Sequence, residues 1–282
     1  QIQIEADRCS GCQLCVKVCS RDVFEIPEGE SVPQVVADAT CSVCGHCVAA
    51  CPNNVITHEG MNAADIRPVG SPAIAPDQMR MFLASKRSTR RFIDRPVERR
   101  VLEELIDLSR LAPTAKNIQD RGFIVVTDRE TIRAMDKAVV AAFATLLKIL
   151  SKPMRKVLGL TLPIVRQLDR NAAAIEGLIE RSQAGKFPVF HDAPCVILGY
   201  GSESNSLSRD NCVIAQQYLM LYAQSMGLGS CIIGYAASRP KALLPFIPLP
   251  AGQAIQTATI LGYPDVTFAR TVSRDGAKVS WV

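Results

Sequence analysis

From about residue 77 onward the chain alternates between two kinds of hydrophobic pattern. Val97, Val101, Leu102, Leu105, Leu108 and Ala112 recur at helical spacing, and Pro113 ends the pattern. Gly122–Thr127, Pro194–Tyr200 and Thr257–Tyr263 are short apolar runs bounded by Gly and Pro, of a length that suits strands covered on both faces. Helices should therefore cover the sheet they build. Asp210–Met226 is apolar nearly all round, which predicts a central buried helix; Ser208 or Asp210 is placed to cap its start, and Gly227 to stop it. Arg133–Arg181 is a helical, Lys/Arg-studded excursion between two strands, and is the candidate lid or insertion. Ahead of all this, Ile2–Glu5 is strand-like. Gly60–Pro76 holds Gly60, Pro68, Gly70, Ser71, Pro72 and Pro76 without periodicity, as an extended linker does. The division expected is a small domain over 1–60, a linker over 61–78 and a larger domain over 79–282.

Composition fits a soluble globular protein, with 48% hydrophobic and 21% charged residues. A length of 282 residues makes two domains the natural expectation. The net charge of +5 is mild, and the basic residues do not gather in one run with interleaved aromatics, so no nucleic-acid partner is expected. The longest apolar run, Ala138–Leu147, lies between Lys137 and Lys148 and falls far short of the ~20 residues that span a bilayer, so no membrane span is expected. No basic segment followed by an apolar stretch opens the chain, which makes the cytoplasm the expected location.

Eleven cysteines change the picture, because eight of them lie between Cys9 and Cys51. The first run is Cys9-x2-Cys12-x2-Cys15-x3-Cys19; the second is Cys41-x2-Cys44-x2-Cys47-x3-Cys51 followed by Pro52. This is the bacterial two-cluster spacing. Two-residue gaps let three thiolates converge on one cubane, while the fourth, starting a helix beyond the loop, points toward the neighbouring cluster. Ligation should therefore cross: Cys9, Cys12, Cys15 and Cys51 on one [4Fe–4S] cluster, Cys41, Cys44, Cys47 and Cys19 on the other. Zinc has no use for a duplicated three-plus-one pattern, and a cytoplasmic compartment disfavours disulfides. Ser20, where a proline would follow the first run, removes no ligand. Gly45 permits a strained backbone that lets amides approach sulfur; His46 is a spacer that could also tune a potential. A domain of about sixty residues struggles to bury enough apolar surface alone, and bound metal supplies the missing stabilisation. Residues 1–59 resemble bacterial-type ferredoxins.

In the larger domain, Lys86-Arg87-Ser88-Thr89-Arg90-Arg91-Phe92 is a dense basic cluster with hydroxyls, leading into a helix and suited to a phosphate. Ala112-Pro113-Thr114-Ala115-Lys116-Asn117-Ile118-Gln119 follows about twenty residues later, just before a strand. Gly227-Leu228-Gly229-Ser230 taken alone is a helix C-cap and turn. No dinucleotide fingerprint and no phosphate-loop motif occurs, which argues against a Rossmann NAD domain. Cys195, Cys212 and Cys231 sit in apolar contexts as core residues, and His191 and His58 are more readily structural than catalytic. Yet RSxRxF at Arg87–Phe92, APTxxNxQ at Ala112–Gln119, HDAP at His191–Pro194, GLGSCIIG at Gly227–Gly234 and a late GYP at Gly262–Pro264, in that order, resemble the nitroreductase family over residues ~79–282.

That resemblance implies an α+β fold, a mixed sheet flanked by helices, an intertwined homodimer and FMN at the subunit interface. It places Lys86, Arg87, Ser88 and Arg90 at the phosphate and ribityl end, and Pro113, Thr114 and Asn117 against the flavin from the partner subunit. It puts a backbone N–H of Ile233 or Gly234 near flavin N5, and a late basic residue, Arg274 with Arg270 behind it, at the phosphate. Fusing one-electron cubanes to a flavin makes a converter between one- and two-electron chemistry. The expectation is an oxidoreductase that reduces a small organic acceptor, such as a nitroaromatic or quinone, with no obligatory acid–base side chain. Two alternatives stand beside it: oxidation of NAD(P)H or substrate with electrons exported through the clusters to an external ferredoxin, and a redox sensor or carrier without turnover.

Overall fold

The computed structural model describes residues 1–70 and 74–282, so Ser71 and Pro72 of the expected linker lie outside the described residues. The chain forms two compact units, one of Gln1–Ile74 with Thr114–Ile118, the other of Ala75–Pro113 with Gln119–Val282.

In the first unit, strands β1 (Ile2–Ile4) and β4 (Ile56–His58) pair antiparallel, Ile4 opposite Ile56, and so clamp the start of the unit to its end. Between them lie helix α1 (Leu14–Val18), the short ladder of β2 (Phe24–Glu25) with β3 (Gln34–Val35), and helix α2 (His46–Ala50). Its core is small: Val23, Phe24, Val48, Val55 and Ile56 are buried around Cys15 and Cys47. Each cysteine run turns sharply into its helix through a left-handed residue, Gln13 (φ 60°) ahead of α1 and Gly45 (φ 77°) ahead of α2. The third cysteine of each run lies inside the helix, and the fourth, Cys19 or Cys51, is its C-cap. This corrects the expectation that the fourth cysteine starts a helix. The three residues of the x3 spacing complete the helix, so the fourth cysteine closes it.

The second unit begins with helices α3 (Pro76–Ser85) and α4 (Arg99–Ser109), the latter burying Leu102 and Leu105. Strand β5 (Arg121–Val126) then leads into α5 (Arg129–Ile149), α6 (Lys152–Leu158) and α7 (Pro163–Gln183), the helices of the predicted excursion. Strand β6 (Cys195–Ser202), helix α8 (Ser208–Ser225), strand β7 (Gly229–Ile232), the single turn α9 (Gly234–Ala237) and strand β8 (Gln253–Gly262) complete it. The sheet order is β5-β6-β8-β7 with every neighbouring pair antiparallel; Ser88 adds an isolated parallel bridge to Ser230 on β7. One sheet face packs Val196, Leu198, Ala258 and Ile260 against α5 residues Met135, Val139 and Phe143. Cys195, Ile197 and Leu261 pack with Leu105 of α4 and Leu219 and Ala223 of α8.

Helix α8 ends as its sequence dictates. Gly227 takes φ 78°, Leu228 N–H reaches Ala223 O at 2.8 Å and Gly227 N–H reaches Gln224 O at 3.0 Å, the paired bonds of a Schellman cap. Its start differs from expectation: the N-cap is Leu207, and neither Ser208 nor Asp210 caps it. Ser208 instead turns inward and is buried beside Gly201.

Candidate active site and cysteine hollows

Two small hollows open in the first unit. Cys9, Cys12, Cys15 and Cys51 line one; Cys19, Cys41, Cys44 and Cys47 line the other. Each thus takes three thiols from one run and the fourth from the other. Among the described residues no three Cys, His, Asp or Glu side chains gather closely enough to hold a single ion. Donors aimed at sulfur accompany them: Val43 N–H to Cys41 Sγ at 3.3 Å, Val23 N–H to Cys19 Sγ at 3.4 Å and Val55 N–H to Cys51 Sγ at 3.5 Å. Amides directed at thiolate sulfur suit an anionic iron–sulfur group.

His58 adds a donor that the sequence did not disclose. Gly60 N–H donates to its Nδ1 at 2.9 Å, so in the neutral ring the proton sits on Nε2, which lies 3.5 Å from Cys41 Sγ. Only the β1–β4 pairing, in which Ile2 opposes His58, brings it there. In the same unit Asn117 Nδ2 donates to Val43 O at 2.7 Å, just beyond Cys41, while Lys116 and Asn117 both hold left-handed backbone.

The second unit holds a cavity of about 930 Å³. Its walls are largely apolar, with Phe143, Leu146 and Leu150 from α5, and Leu168, Ile175 and Leu178 from α7. Ile232, Ile233 and Gly234, where β7 passes into α9, form another side, and Arg90, Arg181, Arg239 and His191 supply the polar groups. Phe143 meets Tyr235 edge-on, centroids 5.6 Å apart, and carries the Arg239 guanidinium 4.6 Å above its ring.

The basic cluster at 86–92 does not lead into a helix, contrary to the sequence expectation. It is an extended strap after α3, fastened to the sheet edge by Thr89 N–H to Ser230 O at 3.1 Å and by the Phe92–Pro264 bridge. The strap lies so close to β7 that a Cβ on Gly229 would sit 2.5 Å from Thr89 Cγ2. Lys86 Nζ donates to Arg87 O at 2.8 Å and Ser230 O at 3.2 Å, and burial pushes its ammonium below the usual lysine range. Arg87 Nε, Ser230 Oγ and Arg239 Nε are buried with no hydrogen-bond partner. Desolvated cations with unused donors are costly unless an anion answers them, so this region fits a phosphate-bearing cofactor.

His191 lines the cavity, and burial, then Arg90, Arg181 and Arg91, pushes its imidazole down to about 4, leaving it neutral near pH 7. Its loop is pinned from behind: Asp192 takes Arg129 Nη1 and Arg133 Nε, each at 3.0 Å. Buried Asp136 accepts Val189 N–H at 2.9 Å and Phe190 N–H at 2.7 Å, and burial raises its carboxyl to about 6. Burial also raises the Cys195 thiol to about 12 and the Cys212 thiol to about 11, as befits core residues.

Of the flavin-site residues expected from sequence, the structure brings Arg90, Ile233 and Gly234 to the cavity and sets Lys86, Arg87 and Ser88 along the strap beside β7. Pro113, Thr114, Asn117, Arg270 and Arg274 lie outside the cavity lining, the last two exposed on the irregular tail. Sequence reasoning missed Phe143, Arg181, Tyr235 and Arg239. None belongs to a motif, and neither Arg181 within its helix nor the other three carry a local signal of what they face.

Comparison with known proteins agrees with both halves. The nitroreductase family model matches residues 83–263, more than half of the chain, and a 4Fe-4S dicluster domain model matches residues 8–56. A 4-nitrobenzoate reductase of Pseudomonas putida is 27% identical over 208 residues, spanning 68% of this chain and 88% of that protein. A ferredoxin of Methanothermococcus thermolithotrophicus is 40% identical over 58 residues, 20% of this chain and 93% of that one. The fold resembles that of a nitroreductase with bound FMN from Bacteroides fragilis, with a TM-score of 0.57 at 16% identity, covering 73% of this chain and 98% of the other. The chain therefore belongs to the nitroreductase family, as an oxidoreductase that carries a 4Fe-4S dicluster domain ahead of the family fold.

Proposed function

We propose that this protein is an FMN-dependent reductase holding two [4Fe–4S] clusters, which couples one-electron cluster chemistry to the reduction of a small organic acceptor such as a nitroaromatic or quinone. The observation that carries the reading is the 930 Å³ cavity, whose largely apolar lining also carries Arg90, Arg181 and Arg239, the last with its Nε unanswered. Such a space suits a planar cofactor with an anionic tail and a flat acceptor beside it. FMN exchanges electrons singly or as a hydride and a cubane carries one, so the pair interconverts the two kinds of chemistry.

The chain's own residues bind, orient and exclude water. Lys86, Arg87, Ser88 and Arg90 would hold the phosphate and ribityl end. Ile233 N–H is already committed to Ala258 O at 2.8 Å, which leaves the Gly234 amide, opening α9, as the donor toward the ring. His191, neutral near pH 7, offers a hydrogen bond without adding charge. Phe143, Leu146, Ile175 and Leu178 keep the acceptor side dry. A homodimer would supply Pro113, Thr114 and Asn117 from the partner, with Arg274 or Arg270 closing the phosphate site. Cys9, Cys12, Cys15 and Cys51 would ligate one cluster, and Cys41, Cys44, Cys47 and Cys19 the other.

The test is anaerobic. Reconstituted protein should contain about eight irons and one FMN per chain, and once reduced it should be reoxidised by a nitroaromatic or a quinone. Folded protein that retains no FMN, or reduced protein that no such acceptor reoxidises, would overturn the reading. Bleaching on mixing with NADH or NADPH would identify nicotinamide as the donor.

A further inference from the structure

The tip of the helical excursion has a composition that the reductase reading does not use. Between Ala138 and Leu168 the chain carries five basic residues and no acidic one. Arg155 is buried and structural, donating to Asp169 at 3.1 Å and to Leu150 O at 2.8 Å. Arg166 ties the α6–α7 turn through Gly159 O at 2.7 Å and Leu160 O at 2.9 Å. Lys148, Lys152 and Lys156 are exposed and make no ion pair among the described residues. Around them stand bare aliphatic side chains: Ile149 is 64% exposed, Val157 66%, Leu160 77% and Ile164 74%. The turn that displays them is therefore held in shape by buried Arg155 and by Arg166 at the surface. Leu150, Ile164 and Val165 at this tip also line the large cavity, so the apolar surface runs on into the cavity wall.

We infer that the α5–α6–α7 tip docks the protein onto an anionic lipid surface. Aliphatic side chains flanked by lysines suit the headgroup–acyl boundary, where the apolar atoms insert and the ammonium groups stay among the phosphates. Lysines near such a surface gain from its negative potential. A second copy seated segment on segment is a poor occupant, because it would bring two lysine-bearing surfaces together with no carboxylate between Ala138 and Leu168 of either to answer them. Protein interfaces are depleted of lysine, whereas Lys148, Lys152 and Lys156 stand exposed among these aliphatic side chains.

Vesicle flotation of the holoprotein tests this. Full-length protein should float with phosphatidylcholine vesicles containing phosphatidylglycerol, far less with phosphatidylcholine alone, and less as salt is raised. At about 1 kcal/mol per lysine, Lys152→Gln with Lys156→Gln should lower partitioning about 25-fold. Val157→Ser with Leu160→Ser, neither residue lining the cavity, should lower it more than tenfold while leaving cofactor content and thermal midpoint unchanged. Three results would overturn the inference: no flotation of the parent protein with anionic vesicles, flotation equal in parent and variants, or a drop in oligomeric mass in the Val157→Ser/Leu160→Ser variant, which would assign the patch to a second copy.

Discussion

At the scale of single residues, two positions show chemistry set by close approach. Gly229 touches Thr89 of the basic strap, and a methyl there would overlap the Thr89 side chain. Gly229→Ala should cost about 1–3 kcal/mol in chemical unfolding and weaken FMN retention, because the strap carrying Arg87 and Arg90 must move. Unchanged stability would mean that the strap is not locked to β7. His58 donates to Cys41 Sγ, and where Cys41 ligates a cluster such a donor would stabilise the more negative, reduced state. His58→Phe should therefore lower the potential of one cluster and leave the other in place, as read by a spectroscopically monitored redox titration. In sequence His46 reads chiefly as a spacer; it is the pairing across β1 and β4 that brings His58 to Cys41.

Between elements, the joint of α5 with the loop before β6 carries a pH signature. Asp136, on α5, is buried and holds the Val189 and Phe190 amides, with its carboxyl raised from 3.8 to about 6. A raised carboxyl favours the fold while protonated. Its contribution is complete below about pH 4 and is lost as pH rises through 6, amounting to ~3 kcal/mol if the whole shift is expressed. Asp136→Asn keeps an amide acceptor but cannot ionise, so relative to the parent it should gain stability between pH 4 and pH 7. Parallel pH profiles of the thermal midpoint would remove this assignment. Helix α8 illustrates what an element's own residues can dictate: Gly227 stops it by adopting φ 78°, as its position in sequence predicts. Its start was not legible, since Ser208 is drawn inward by packing near Gly201 instead of capping.

For the molecule as a whole, the two units rely on different sources of stability. The first has a core of only a few fully apolar side chains, so its folding should depend on metal, whereas the second buries two extensive apolar clusters around its sheet. Iron removal should lower the unfolding temperature of the cysteine-bearing unit selectively, visible as a split calorimetric transition. The crossed thiol sets make a further expectation for the intact protein: Cys51→Ala should perturb the cluster that Cys9, Cys12 and Cys15 would hold, and Cys19→Ala the one proposed for Cys41, Cys44 and Cys47. If each substitution instead perturbs the cluster of its own run, the crossing is wrong. No helix among the described residues is long and apolar enough to cross a membrane.

The amino-acid sequence alone determined the features written in local spacing. These are the paired cysteine runs, the family motifs from Arg87 to Pro264, the apolar strands and the glycine that ends α8, since each depends on neighbours a few bonds away. Tertiary structure decided what spacing cannot carry. It turned the basic cluster into a strap on β7, made β7 itself a strand where Gly227–Ser230 suggested only a turn, and gathered Phe143, Arg181, Tyr235 and Arg239 from separate elements around one cavity. The physical reason is that burial, desolvation and cross-sheet pairing are properties of which surfaces meet, and residues far apart in the chain acquire them only once the sheet and its helices have closed together.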